Sequence, residues 1–162
     1  MILQQIAFAT VTCDCFASST NRRCEKFYSK IASPHCAGIN AFSQDWSNDF
    51  NFCCPPVKEI PFVIQHLLST PLQGILVVPM WPGSIYWPRL TVDGRHLLPM
   101  FYRFHIFKTN FIKGQFCDKN IFNPSSTNID MLGLMFNSSR DKNMQINVIS
   151  CLAGGCHMCR KS

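Results

Sequence analysis

Apolar residues fall in short dense runs separated by clusters of Gly, Pro, Asn and Ser, a pattern of buried strands and turns rather than long amphipathic helices. Residues 5–13 are apolar and β-branched and predict a buried strand running into Asp14. Asn21 to Lys30 predicts a short helix or extended arm, closed by Ser33-Pro34. Residues 31–50 are mixed, with Gly38, Asn40, Ser47 and Asn48 as turn formers and Trp46 as the apolar anchor. The apolar segment Asn51–Cys54 stops at the stiff Pro55-Pro56 elbow, Phe62 to Leu68 reads as helix, and Leu72-Gln73-Gly74 turns into a strand over Ile75–Val78 that ends at Pro79. The result is a strand–turn–helix–strand unit. Asp93-Gly94 signals a hairpin turn between residues 90–92 and 96–98. Aromatics at nearly every other position from Phe101 to Phe111 predict a strand, Met131–Phe136 a last one, and Gln145–Ile149 a further short one. Lys113-Gly114, Asn123–Ser126 and Asn137–Ser139 punctuate loops.

In such a unit the loops after the carboxyl ends of the strands form the crevice where ligands bind, which puts the Pro55-Pro56 elbow and the Pro79–Pro88 loop at one rim. Asp14, read as a strand's last residue before a turn of small residues, is placed where open α/β sheets hold nucleotide-type cofactors. A helix start capped by Ser18, Ser19 or Thr20 explains the same residues without a ligand. Trp81 and Trp87, among Pro79, Pro82 and Pro88, could stack bases or serve as core anchors. Arg22, Arg23 and Lys26, with Lys30, would form a small basic face if their segment were helical, or a solvated surface.

Several blocks, in order along the chain, resemble one family. Cys54-Pro55-Pro56-Val57 followed by a helix and Leu76-Val77-Val78-Pro79 is similar to the Asn-Pro-Pro-Tyr/Phe shelf of phage-type DNA adenine-N6 methyltransferases. More closely, it resembles the methyltransferase-like segment of DIRS-type (tyrosine-recombinase) retrotransposon polyproteins. Asp14-Cys15-Phe16-Ala17-Ser18-Ser19-Thr20-Asn21, Ala41-Phe42-Ser43-Gln44-Asp45-Trp46-Ser47 and Asp93-Gly94-Arg95-His96 match in the same order, with weaker echoes at residues 113–122 and 131–134. The resemblance implies an α/β fold: a short, N-terminally truncated Rossmann-like methyltransferase sheet with an irregular C-terminal tail. It also implies an S-adenosylmethionine pocket at Asp14, Phe16, Ala17, Ser18 and Asn21, and a DNA partner. The departures are chemical. Ser18 replaces a glycine that would let backbone approach the cofactor closely. Asn40 stands where the family shows Asp. At the shelf the family's amide acceptor and stacking ring are replaced by the Cys54 thiol, a weak acceptor, and by Val57, which has no ring. Little or no methyl transfer is therefore expected, unless Asn51 or an aromatic from elsewhere substitutes.

At 162 residues, 47% hydrophobic and 15% charged, the chain is long enough for one domain with a real core. Residues 1–138 are read as that domain and 139–162 as a Cys-containing tail, disordered in part. A net charge of +6 favours polyanionic partners without naming one, so a non-catalytic nucleic-acid-binding module is the rival reading. Ten cysteines raise a second rival, a Cys-rich secreted or interaction protein. The tight pairs Cys13/Cys15 and Cys53/Cys54 argue instead for reduced, buried thiols, because a disulfide needs converging side chains. Ala7-Phe8-Ala9 looks like a cleavage site but lacks a basic region before it, so an intracellular protein, nuclear or cytoplasmic, is expected. No apolar run is long enough to span a bilayer. Cys151, Cys156, His157 and Cys159 invite a zinc reading, yet their spacing fits no standard paired-ligand site, and no metal is expected.

Overall fold

The apolar runs of this chain are short, strand length rather than helix length, and that sets the architecture. The computed structural model describes residues 11–108, 130–140 and 146–152. These contain seven strands: β1 (Cys13–Ala17), β2 (Lys26–Ser29), β3 (Gly38–Ile39), β4 (Phe50–Cys53), β5 (Gln73–Pro79), β6 (Phe101–Lys108) and β7 (Asp130–Asn137). They form a single mixed sheet in the order β3-β2-β1-β4-β5-β7-β6. Neighbours from β3 to β5 run parallel, and β7 runs antiparallel to both β5 and β6. The chain is an α/β protein.

Among the described residues three helices accompany the sheet: α1 (Ile60–Ser69), α2 (Trp87–Leu90) and α3 (Val148–Leu152). A 3-10 turn over Val57–Glu59 leads from the proline elbow into α1, and Pro61 sits in the first turn of α1, where its missing N–H costs no helical bond. Ile60, Val63, Ile64 and Leu67 recur at helical spacing and are buried against Leu76 and Val78 in the principal core. Burying those four side chains contributes on the order of 6–12 kcal/mol before chain entropy is counted. The intervening strand residues Phe52, Ile75 and Val77 point the other way and join Cys54, Phe107, Met131 and Met135 in a second core.

All described helices lie against the principal core. The reason is connection length. The β1–β2 and β2–β3 connections run over residues 18–25 and 30–37, too few for a helical crossover. Residues 40–49 and α1 both pack on the principal core. Where β4 and β5 lie closest, Gly74 has a φ of +157°, and a methyl group there would overlap the Asn51 carbonyl oxygen.

Several expectations need correction. Asn21–Lys30 is neither helix nor arm: a turn closed by Asn21 and Arg22 N–H groups donating to Ser18 O precedes β2. β1 starts at Cys13, so Asp14 is its second residue and not its end; residues 5–10 of the expected strand lie outside the described residues. Of the strand expected over Gln145–Ile149, Gln145 lies outside the described residues and 146–149 is not a strand, because Asn147 makes only an isolated bridge to His96 before α3 begins. Val148 is fully buried in the principal core, so the chain beyond residue 138 contributes to packing. The helix α1, the strands β5, β6 and β7, and the turn at Asp93-Gly94, where Gly94 has a φ of +83° and Thr91 bridges Leu97, are as the pattern predicts. The loops expected at 113–126 and the Cys156-His157-x-Cys159 cluster lie outside the described residues.

Candidate functional site

Between β1 and β4 the order of the sheet reverses: β1 leads outward to β2 and β3, β4 outward to β5. At such a switch point the loops leaving the two carboxyl ends diverge and open a crevice. Asp14 is in register with Phe52, so Ala17 and Pro55, each three residues further on, leave the sheet at the same edge. The Phe16–Asn21 turn and the Cys54–Val57 elbow, expected to be neighbours, are brought together here.

The β1 strand is bulged. Its register with β2 passes from Asp14 opposite Phe27 to Ala17 opposite Ser29, three residues against two. The extra residue lets Phe16 join Cys15 on the helix-bearing side, where its ring meets Phe42 edge-on at 5.6 Å and Trp46 at 6.1 Å. His66 on α1 lies 4.5 Å from the Trp46 ring, and desolvation lowers its pKa. Asn40, at a positive φ of 59°, accepts a hydrogen bond from Phe42 N–H at 3.2 Å and so fixes the turn carrying Phe42. Trp46 is anchored by its indole N–H, which donates to Ala41 O at 2.7 Å.

Asp14 is 3% exposed, and its carboxylate is directed to its own chain: Oδ2 accepts from Arg23 N–H at 3.0 Å and Oδ1 from Phe16 N–H at 3.4 Å. Burial outweighs those bonds and pushes its pKa up to about 6. Ser18 N–H donates to Asn21 Oδ1 at 2.7 Å, closing the small-residue turn on itself. Cys54 is buried in the second core, Pro55 is buried, Pro56 O accepts from Glu59 N–H at 2.8 Å, and half-buried Val57 packs on the principal core. Cys13, Cys15 and Cys53 are buried on the helix side; the hydrogen bond with Cys15 and then burial hold the Cys13 thiol far above the ordinary thiol pKa, and burial raises that of Cys15. The residues at this sheet edge are therefore mostly apolar and aromatic.

The residues expected to meet nucleic acid are dispersed. Arg22 lies 5.3 Å over the Phe27 ring and donates to Glu25 O, while Lys26 Nζ is 2.6 Å from Asp49 Oδ2. Arg22 and Arg23 occupy the turn and Lys26 opens β2, so the helical basic face does not form. Trp87 is 2% exposed with its indole N–H donating to Gly94 O at 2.8 Å, which removes it from the rim; Trp81 is half-buried against the principal core. Among the described residues no group of three His, Cys, Asp or Glu side chains could hold a metal ion, and no helix is long and apolar enough to cross a membrane.

One residue escaped the sequence reading in this role. Asn51 is fully buried; its Nδ2 donates to Trp46 O at 2.9 Å, Asp49 O at 3.1 Å and Gln73 O at 3.1 Å, and its Oδ1 faces the Cys15 thiol at 3.5 Å. It is a brace joining β1, β4 and β5, and it is unavailable as a substitute for the missing shelf acceptor. A lone amide between Phe50 and Phe52 was the signal. Comparison of the chain with protein-family models, with curated proteins and with solved structures gives no match.

Proposed function

We propose that this chain is a Rossmann-like methyltransferase domain of the kind carried by DIRS-type retrotransposons, related to phage-type DNA adenine-N6 methyltransferases, that keeps a cofactor crevice but has lost methyl transfer. The observation that carries the reading is the switch point: the two sequence blocks that resemble the family's cofactor and catalytic motifs leave adjacent parallel strands at one sheet edge. The strand order 3-2-1-4-5 supports it, being that of the doubly wound nucleotide-binding folds.

The residues present fit S-adenosylmethionine in part. Phe16 and Phe42 offer ring edges for a flat base, and the Phe16–Ser18 backbone forms the wall of the crevice, while Asn21 would have to release Ser18 N–H for a ligand to reach it. The cofactor, when bound, supplies an electrophilic methyl group. The work left to the protein is to aim the adenine amine, with one acceptor to orient the nitrogen and one ring to stack the extruded base. Cys54 and Val57 do neither. Loss of a hydrogen bond and of stacking, each on the order of 1–3 kcal/mol, lowers rate or binding by about two to four decades. Contact with DNA is then weak and electrostatic, made by Arg22 and Arg23 with Trp81, in an intracellular setting, nuclear or cytoplasmic.

The double variant Cys54→Asn, Val57→Tyr tests this. Labelled methyl transfer to adenine-containing DNA is expected to be absent in the natural chain and to rise in the double variant. Clear transfer by the natural chain overturns the reading.

A further inference from the structure

β6 opens with a bulge: from Phe101 to Arg103 it advances two residues while β7 advances one, from Phe136 to Met135. The extra residue puts two consecutive side chains on one side of the sheet. Tyr102 packs against the second core, and Arg103 stands opposite Met135, a member of that core. Arg140, in the turn after β7, holds its guanidinium 5.2 Å over the Tyr102 ring. We infer that Tyr102, Arg103 and Arg140 form a second nucleic-acid surface, one that takes a single strand: the two guanidiniums hold phosphates and the tyrosine ring stacks an unpaired base.

This surface is separate from the cofactor crevice. Phe101 pairs with Phe136 and Phe136 with Gly74, so the patch lies level with the start of β5, at the end of the sheet opposite the edge where β1 and β4 release their loops. The turn that presents Arg140 is set by the body of the protein. Ser138 N–H donates to Leu72 O at 2.9 Å and its hydroxyl to Leu67 O at 2.7 Å, while Ser139 N–H donates to Asn137 Oδ1 at 3.0 Å and Arg140 N–H to Asn137 O at 3.2 Å. A turn fixed in this way has little ordering left to lose when a ligand binds.

Charge names the partner. Burial raises the Tyr102 pKa, and Arg140 and Arg103 both pull it back down, so two cations converge on one phenol. Cations held this close repel each other, and an anion placed between them relieves the repulsion. A guanidinium carries five N–H donors in a planar fork, so each arginine keeps its contacts within the chain and still turns donors to phosphate oxygens. The ring then selects among polyanions. Tyr102 is half-buried and Arg103 exposed, which leaves part of an aromatic surface open beside the charges. A base within a duplex is stacked on its neighbours and shows only its edges, whereas an unpaired base offers its face to a ring.

The test is titration of the full chain with a labelled single-stranded oligonucleotide and with its duplex, over a range of salt. The double variant Arg103→Ala, Arg140→Ala is expected to weaken single-strand binding about tenfold or more at low salt and to flatten the slope of log affinity against log salt by about 1.4. Tyr102→Leu keeps apolar packing and removes the ring; it is expected to weaken single-strand binding about fivefold or more and leave duplex binding unchanged, while Tyr102→Phe keeps both. No single-strand binding by the natural chain, unchanged binding in the arginine variant, or equal effects of Tyr102→Leu on single strand and duplex would each overturn the inference. Competition by polyglutamate as strong as that by the unlabelled oligonucleotide would overturn it in favour of an acidic protein partner. Should Tyr102→Leu fail to fold, the arginine variant and the polyglutamate competition decide the matter.

Discussion

Replacing Asn51 by Asp changes almost no volume and reverses the polarity of the most heavily bonded buried side chain described. The natural amide donates to three main-chain carbonyls, those of Trp46, Asp49 and Gln73, which belong to the loop before β4 and to β5. A carboxylate offers them no proton. The amide's two N–H protons are shared among the three carbonyls, and each lost donor costs about 1–3 kcal/mol, so the loss is on the order of 2–6 kcal/mol, a large share of the roughly 5–15 kcal/mol of a typical domain. The introduced carboxyl can escape by taking a proton, which restores one donor. Its folded pKa is thus raised above the unfolded value, and the variant is relatively most stable below about pH 4 and loses ground as pH rises through its folded pKa. Urea unfolding followed by tryptophan fluorescence at pH 5 and pH 7.5 measures both effects. A variant within about 1 kcal/mol of the natural chain at pH 7.5, or one whose deficit does not shrink at pH 5, would refute the bracing role.

That role shows where sequence reading stops. Elements whose residues are decided locally were legible: α1 from its helical stripe, β5 from Ile75–Val78 between Gly74 and Pro79, β6 and β7 from aromatic and apolar runs, the turn at Gly94. What the chain does at a distance was not. Asp14 was read as a strand end because small residues follow it, but pairing with β2 carries β1 on to Ala17. Arg22 and Arg23 suggested a helix face, yet a parallel β2 must begin at Lys26, and the residues left are too few for a helix. Trp87 resembled a rim aromatic, and the Gly94 carbonyl that accepts its N–H comes from a turn seven residues away. The bulge that re-aims Phe16 is a property of the pairing with β2 and leaves no local mark.

Two further outcomes follow from packing and charge. Gly74→Ala should destabilise by more than about 2 kcal/mol, since its methyl group meets Asn51 backbone and its φ disfavours a side chain; thermal unfolding checks it, and an unchanged midpoint contradicts it. DNA binding should weaken steeply between about 50 and 200 mM salt, and Arg22→Ala should lower affinity; titration of a labelled duplex decides both, and salt-independent binding would show that the basic residues are not the contact. Trp87→Ala should lower stability by about 3–5 kcal/mol, read by urea unfolding.

The central claim is that the β1–β4 edge retains a cofactor crevice after its catalytic shelf has decayed. Calorimetric titration of the natural chain with S-adenosylmethionine, alongside Ser18→Tyr to fill the crevice mouth, tests it most directly. The account predicts heat of binding for the natural chain and its loss in the variant with the fold preserved; no binding by the natural chain, or binding that Ser18→Tyr leaves untouched, would contradict it.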